Sequence, residues 1–269
     1  MNINWLTRSN PKGFLHNIGK VIILVFVFIG VTSMNACGFL GFGKTASWKE
    51  EVLLHDGSKI IVERWQKRGG DHEIGQEPGI AEQSVTFTLP GTKKTIQWKD
   101  EYSPEVGGCN FIVVALHILN DTPYLIAKPR LDRSYNKWGR PNPPYVIFKF
   151  EGNVWKRITI SELPMQFKNI NLVITPDADE EKLVRQRVVS SEMVIKLNSS
   201  LEQAEYKTIL RAPLENYNVP EMIPTEDGGW LSIGYFSLQP NYEACINFCK
   251  KKMVKAGYCP CDAIFKGGK

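Results

Sequence analysis

From Trp48 onward, short runs of alternating apolar and polar residues are separated by turn signals, the pattern of half-buried β-strands. Val52-Leu-Leu-His and Lys59-Ile-Ile-Val-Glu-Arg-Trp65 flank Asp56-Gly57, which predicts a hairpin with a type I′ turn, because that turn needs positive φ at both central residues. Val85, Phe87 and Leu89 alternate with Thr86 and Thr88; Pro90-Gly91 turns the chain, and Ile96 and Trp98 return on one face. Phe111 to Leu119 is almost continuously apolar and predicts a central strand. Asn120-Asp-Thr turns it toward Tyr124-Leu-Ile-Ala127. Val146, Phe148 and Phe150 alternate before Glu151-Gly-Asn, and Val154 to Ile158 pairs back. The fold class predicted is mainly β, an antiparallel meander forming a sandwich or an open barrel, with an α-helical C-terminal part and a disulfide-stapled tail. A propeller would need at least four blades of ~40 residues each, more than the strand-rich length supplies.

After Leu163-Pro164 the pattern changes. Ile170 to Ile174 reads as a last strand. Asp177 to Val188 is acidic first and basic last, which suits a helix dipole. Ser199-x-x-Glu202 is a capping-box pattern that would open a helix over Leu201 to Leu210. Pro213, Pro220 and Pro224 enforce irregular chain, and Trp230 to Leu238 is β-like. Asn241 is a candidate N-cap for a helix carrying Tyr242, Cys245, Ile246, Cys249 and Met253 on one face.

Before Trp48 the hydropathy is of another kind. Arg8, Lys12 and Lys20 precede the apolar run Val21 to Val31, and the first acidic residue is Glu50. A basic start, a short apolar core and a small residue before the break form a secretory signal. The strictly apolar part falls short of the ~20 residues that span a bilayer. Met34-Asn-Ala-Cys37 resembles a bacterial lipobox, with Cys37 as the lipid-bearing residue; Ala36 fits the pattern and Asn35 departs from it. An uncleaved span over Val21 to Gly43, or plain secretion with cleavage near Ser33, are the rival readings. Gly38 after the cysteine resembles the outer-membrane sorting pattern of Gram-negative lipoproteins. The chain then divides into a signal peptide (1–36), a lipid-attached tether (37–47), an antiparallel β domain (48–175), a mixed α and irregular extension (176–240) and a Cys-rich helical tail (241–269).

Composition changes this picture little. The formal net charge is +5, but residues 37–240 carry 24 basic and 26 acidic side chains, so the body is near neutral. No basic face for nucleic acid follows. Of the six cysteines, Cys245, Cys249, Cys259 and Cys261 form a local cluster. In an exported chain an even cluster reads as two disulfides rather than a metal site. A helix returning on itself would pair Cys249 with Cys259 and Cys245 with Cys261, although spacing alone allows three connectivities. Cys109 reads as a buried, inert thiol.

Catalytic constellations are sparse. No G-x-S-x-G, H-E-x-x-H, G-x-G-x-x-G or Walker pattern occurs in the sequence. No cofactor is predicted. His72 between Asp71 and Glu73 is the one arrangement that would serve a hydrolase or metal-dependent enzyme, and a solvated surface loop is the preferred reading of it. The stretch Asp132 to Tyr145 is the leading recognition candidate. It offers Arg133, Tyr135, Trp138, Arg140 and Tyr145 on a proline-stiffened backbone, the residue types of binding hot spots. The favoured reading is that these rings fold back as a cap over one end of the β core, with a binding face as the alternative.

The segments HDGSKIIVER, HEIGQEP, TFTLPGT and YNKWGRPNPPYVIFKFEGNVWKRI resemble a family of uncharacterised proteobacterial proteins, many of them expected to be lipoproteins. The resemblance runs from about Trp48 to Ile174 and brings no catalytic role to any residue. It implies an exported setting. The expectation is a non-enzymatic binding or accessory lipoprotein on the inner leaflet of the outer membrane, facing the periplasm, or in the inner membrane. Its partners would be the bilayer, through the N-terminal lipid, and an envelope protein or polymer.

Overall fold

The computed structural model describes residues 45–70, 72, 75–76, 78–174 and 180–267. Cys37, the signal and most of the tether lie outside the described residues, as do Asp71 and Glu73. No helix among the described residues is long and apolar enough to cross a membrane.

Two four-stranded antiparallel meanders and one small hairpin make up three sheets. The first meander contains β1 (Thr45–Leu53), β2 (Lys59–Arg68), β3 (Ile80–Thr88) and β4 (Thr95–Asp100). The second contains β5 (Phe111–Leu119), β6 (Thr122–Pro129), β7 (Val146–Glu151) and β8 (Val154–Ile158). A short helix, α1 (Asp132–Lys137), links β6 to β7. The sheets share one core: Val52, Val62, Phe87 and Trp98 of the first pack with Phe111, Leu116, Leu125 and Phe148 of the second. Burying an apolar side chain of this size contributes about 1.5–3 kcal/mol each, and that term joins the sheets.

The hairpins form where alternation and turn residues predict them, but the turn types differ. Asp56-Gly57 does not form the type I′ turn, since Gly57 has positive φ and Asp56 does not. Instead Leu54 N–H donates to Ser58 C=O across the three residues His55, Asp56 and Gly57, and Asp56 accepts from the Ser58 N–H and hydroxyl. The paired positive φ of a type I′ turn occurs at Asn120-Asp121, between β5 and β6, and at Gly152-Asn153, between β7 and β8.

β5 is not a central strand; it is an edge strand of its sheet. Its apolar sequence is explained by cover on both faces. One face meets the shared core. The other packs under Leu163, Phe167, Ile170, Tyr206 and Ile209. Its open edge is covered by the stretch after Ile170, which is irregular rather than the predicted strand. The Asn171 side chain supplies the missing rung. Its Oδ1 accepts from Leu116 N–H at 2.9 Å and its Nδ2 donates to Leu116 C=O at 2.8 Å, the two bonds of a β-ladder pair made by an amide.

The helices also shift from expectation. Among the described residues of 177–188 the helix is α2 (Glu180–Val184), and Ser199-x-x-Glu202 opens nothing but a single turn at Ala204–Tyr206. The longer helix precedes that motif: α3 (Ser191–Ser199), capped by the Ser190 side chain accepting from Met193 N–H. The predicted β-like run after Trp230 is strand only over Trp230–Ser232 (β10), which pairs with β9 (Met222–Pro224); Gly234–Ser237 is helical (α4). In the tail, α5 (Tyr242–Lys251) is N-capped by Asn241, whose Oδ1 accepts from Ala244 N–H at 2.9 Å. A short α6 (Cys261–Phe265) follows. Cys245 bonds Cys261 and Cys249 bonds Cys259, the pairing that a returning helix predicts. These sulfurs anchor a separate apolar cluster with Ile223 and Phe236.

Candidate functional site

The sandwich is fastened differently at its two ends. Near the hairpin turns, Trp155 Nε1 donates to Gln97 C=O at 2.8 Å and Lys94 Nζ reaches Asn153 Oδ1 at 2.7 Å, closing β4 against β8. At the far end of β4 the sheets part. There a buried carboxylate, Asp100, joins them: Oδ1 accepts from Asn110 N–H and Nδ2, and Oδ2 from Phe111 N–H. Gln83 Nε2 donates to the same carboxylate at 3.1 Å. Burial pushes the Asp100 carboxyl up, and the donated hydrogen bonds from Asn110, Gln83 and Phe111 oppose that shift. Asn110 passes the linkage to α1, because its Oδ1 accepts from Trp138 Nε1 at 3.1 Å and its C=O accepts from the Ser134 hydroxyl.

The gap between β4 and α1 is a groove of about 640 Å³. Its wall is a ring cluster. Phe111 lies 4.7 Å from Trp138 and 5.5 Å from Phe148 between centroids, and Trp98 lies 5.7 Å from Phe148. The rim is polar. Lys137 Nζ pairs with Glu105 at 3.2 Å and Ser103 Oγ at 2.9 Å, while Tyr102 is 40 % exposed. Arg157 fixes the outer side of Trp138, donating to its C=O at 3.1 Å and lying 5.6 Å over its ring. The groove offers aromatic edges and hydrogen-bonding groups held by a rigid scaffold, a surface suited to binding.

The residues singled out in Asp132–Tyr145 separate into different roles. Trp138 lines the groove. Tyr135 and Tyr145 are buried. Arg140 is turned inward, donating to Asn136 Oδ1, Pro220 C=O and Val219 C=O and lying 5.2 Å over the Tyr135 ring. The Tyr145 hydroxyl donates toward the Glu205 and Thr208 carbonyls, and burial pushes its phenol up. Asn142 exchanges hydrogen bonds with Leu214 backbone. Most of the stretch is therefore a clamp that holds 205–222 against the second sheet. Arg133 is exposed and lines a different, shallow cavity of about 550 Å³ together with His72 and Asp132. His72 is itself exposed, with Nδ1 2.9 Å from Gly70 C=O.

A half-open cleft of about 370 Å³ lies between α3 and the irregular stretch that follows Asn169. Its amides are already engaged: Asn171 by Leu53 and Leu116, and Asn198 by Leu172 C=O and Ile174 N–H. It is an apolar cleft without free polar handles from those two residues. Cys109 is buried, and burial pushes its thiol up to about 12, so it is neutral and unreactive. Tyr102 and Lys99 contribute to the groove without a sequence signal, because both sit where the strand pattern of β4 ends.

Comparison with protein-family models, with curated protein sequences and with solved structures finds no match to this chain.

Proposed function

We propose that this chain is a lipid-tethered protein of the bacterial cell envelope that works as a non-enzymatic binding module. Cys37 carries the lipid, the domain faces the periplasm from the outer membrane, and the partner is an envelope protein or polymer. The observation that carries the binding reading is the groove between β4 and α1, where half-buried Trp138 and exposed Tyr102, backed by the buried rings of Trp98, Phe111 and Phe148, stand beside a polar rim. Aromatic rings held by a scaffold give contact area at small ordering cost. The basic, then apolar, then Ala36-Cys37 pattern and the two disulfides of the tail support an exported setting.

The test is co-sedimentation of the purified full-length chain with isolated, delipidated envelopes, so that the lipid alone does not retain it. Tyr102→Ala should weaken retention roughly tenfold without changing the melting temperature. Retention equal in wild type and variant, or absent from both, would contradict the proposal.

A further inference from the structure

We propose that the binding surface continues from this groove across the outer face of the first sheet, and that its ligand is a neutral glycan strand stacked on Trp65. This rests on the binding-module reading above and adds the class of ligand.

Register places Trp65 at the middle of the outer face. On β2 it pairs with Ser47 of β1 and Ser84 of β3, and Ser84 in turn pairs with Lys99 of β4. Small serines on both sides leave room beside the indole, which is only half-buried. Its N–H has no hydrogen-bond partner among the described residues. The neighbouring row reads Glu63, Thr86 and Gln97, with Gln97 Nε2 donating to Thr86 Oγ1 at 3.1 Å. Above these residues is a depression of about 520 Å³. Lys99, Asp100 and Glu101 line both this depression and the groove, so the two adjoin at the end of β4. Trp65 and that edge are two strand spacings apart, about 10 Å, a distance that a short oligosaccharide covers. A long ligand crossing the strands would meet Trp65 first and Tyr102 with Trp138 afterwards.

The chemistry selects the ligand. One face of a pyranose ring is a layer of C–H groups that packs on an indole, while its hydroxyls lie at the edge and need donors and acceptors in the plane. Thr86, Gln97, Lys99 and the two carboxylates of Glu63 and Glu101 supply both. Charge balance gives polyanions no hold. Lys67 pairs with Glu82 at 2.8 Å and Lys137 with Glu105 at 3.2 Å. Lys49, which register places opposite Glu63 on this face, and Lys99 balance Glu63 and Glu101, and none of the four has an ion pair among the described residues, so the surface is near neutral. A nucleic acid, a phosphate polymer or a sulfated glycan finds no cationic patch here to hold it, and a neutral polymer needs none.

The experiment measures retention of the full-length chain on delipidated envelopes before and after exhaustive protease digestion, with chitohexaose, cellohexaose and heparin as soluble competitors. The expected result is retention that survives digestion, is reversed by chitohexaose or cellohexaose but not by heparin, and falls roughly tenfold in Trp65→Ala. Glu63→Ala and Lys99→Ala, on exposed residues that hold no packing, should each weaken it as well, so the proposal stands or falls even where Trp65→Ala is poorly folded. Loss of retention on protease digestion points to a protein partner; it overturns the glycan and leaves the binding module standing. Retention unaffected by the neutral oligosaccharides, or by Glu63→Ala and Lys99→Ala together, also overturns it. No retention on undigested envelopes removes the binding-module reading itself.

Discussion

Asp100 holds Asn110 through two hydrogen bonds to one carboxylate oxygen, 3.0 Å from the backbone nitrogen and 2.9 Å from the side-chain nitrogen. The pair joins the last strand of one meander to the chain entering the next. It also sets the groove, since Asn110 in turn accepts from Trp138. Asp100→Ala leaves the buried Asn110 and Phe111 N–H groups without an acceptor, and each such loss costs about 1–3 kcal/mol. The expected destabilisation is about 3–5 kcal/mol. Chemical denaturation measures it, with a shift in tryptophan emission reporting release of Trp138. A change under about 1 kcal/mol would show that this linkage does not join the sheets.

Glu50 and Arg64 form an ion pair inside the first sheet, at 2.9 Å and with side chains 0 % and 1 % exposed. The same carboxylate accepts from Val173 N–H at 3.0 Å, which ties the irregular stretch to β1. Glu50→Gln or Arg64→Met alone should cost about 3–5 kcal/mol, because each strands a buried charge. The double change to apolar residues should recover a large part of that loss in a denaturation experiment.

His117 is stacked on Phe167 at 4.7 Å, and its Nε2 lies 2.9 Å from Asn169 C=O, so that nitrogen carries the proton. Its other nitrogen is buried without a hydrogen-bond partner among the described residues. Burial pulls its pKa down to about 4, with the Asn169 carbonyl acting in the opposite direction. The unfolded chain, with a His pKa of ~6.5, therefore binds more protons than the folded one between ~6.5 and about 4. Stability falls as pH drops through that window, by on the order of 3 kcal/mol, and this contribution is constant above it. The difference in unfolding free energy between wild type and His117→Phe should shrink from pH 7 to pH 4.5. An unchanged difference would mean that His117 titrates normally.

The tail cluster around Phe236 and the two disulfides is distinct from the sandwich core. Cys245–Cys261 and Cys249–Cys259 close loops of separation 16 and 10, and bridges of this kind contribute about 2–4 kcal/mol each. Reduction should abolish hydrogen-exchange protection over 242–265 and leave that of β5 and β6 unchanged. Loss of protection throughout would show that tail and sandwich unfold as one unit.

The strands were legible because alternation survives wherever one face meets a core. Ile96 and Trp98 show it on β4, and Val146 and Phe148 on β7. The same alternation carries Trp65 to the outer face, opposite Arg64, although an isolated Trp on a strand looks like core in sequence. The irregular parts were not legible, because they are set by side chains that imitate backbone. Asn171 completes the edge of β5, and nothing in Ile170–Ile174 distinguishes that from a strand. Arg140 and Tyr145 carry the composition of a binding loop, yet their partners are carbonyls some 60 to 80 residues later in the chain. Only the fold shows that these groups are engaged within the protein. The groove itself arises where β4, the 102–105 loop and α1 meet, and no local pattern encodes that meeting.

The envelope setting proposed for this chain depends on export and tethering at Cys37, and the mass of the N-terminal peptide from membrane-fraction protein tests that most directly. The account predicts a chain beginning at Cys37 and carrying a diacylglyceryl group. A chain beginning at Met1, or one cleaved near Ser33 without lipid, would contradict it.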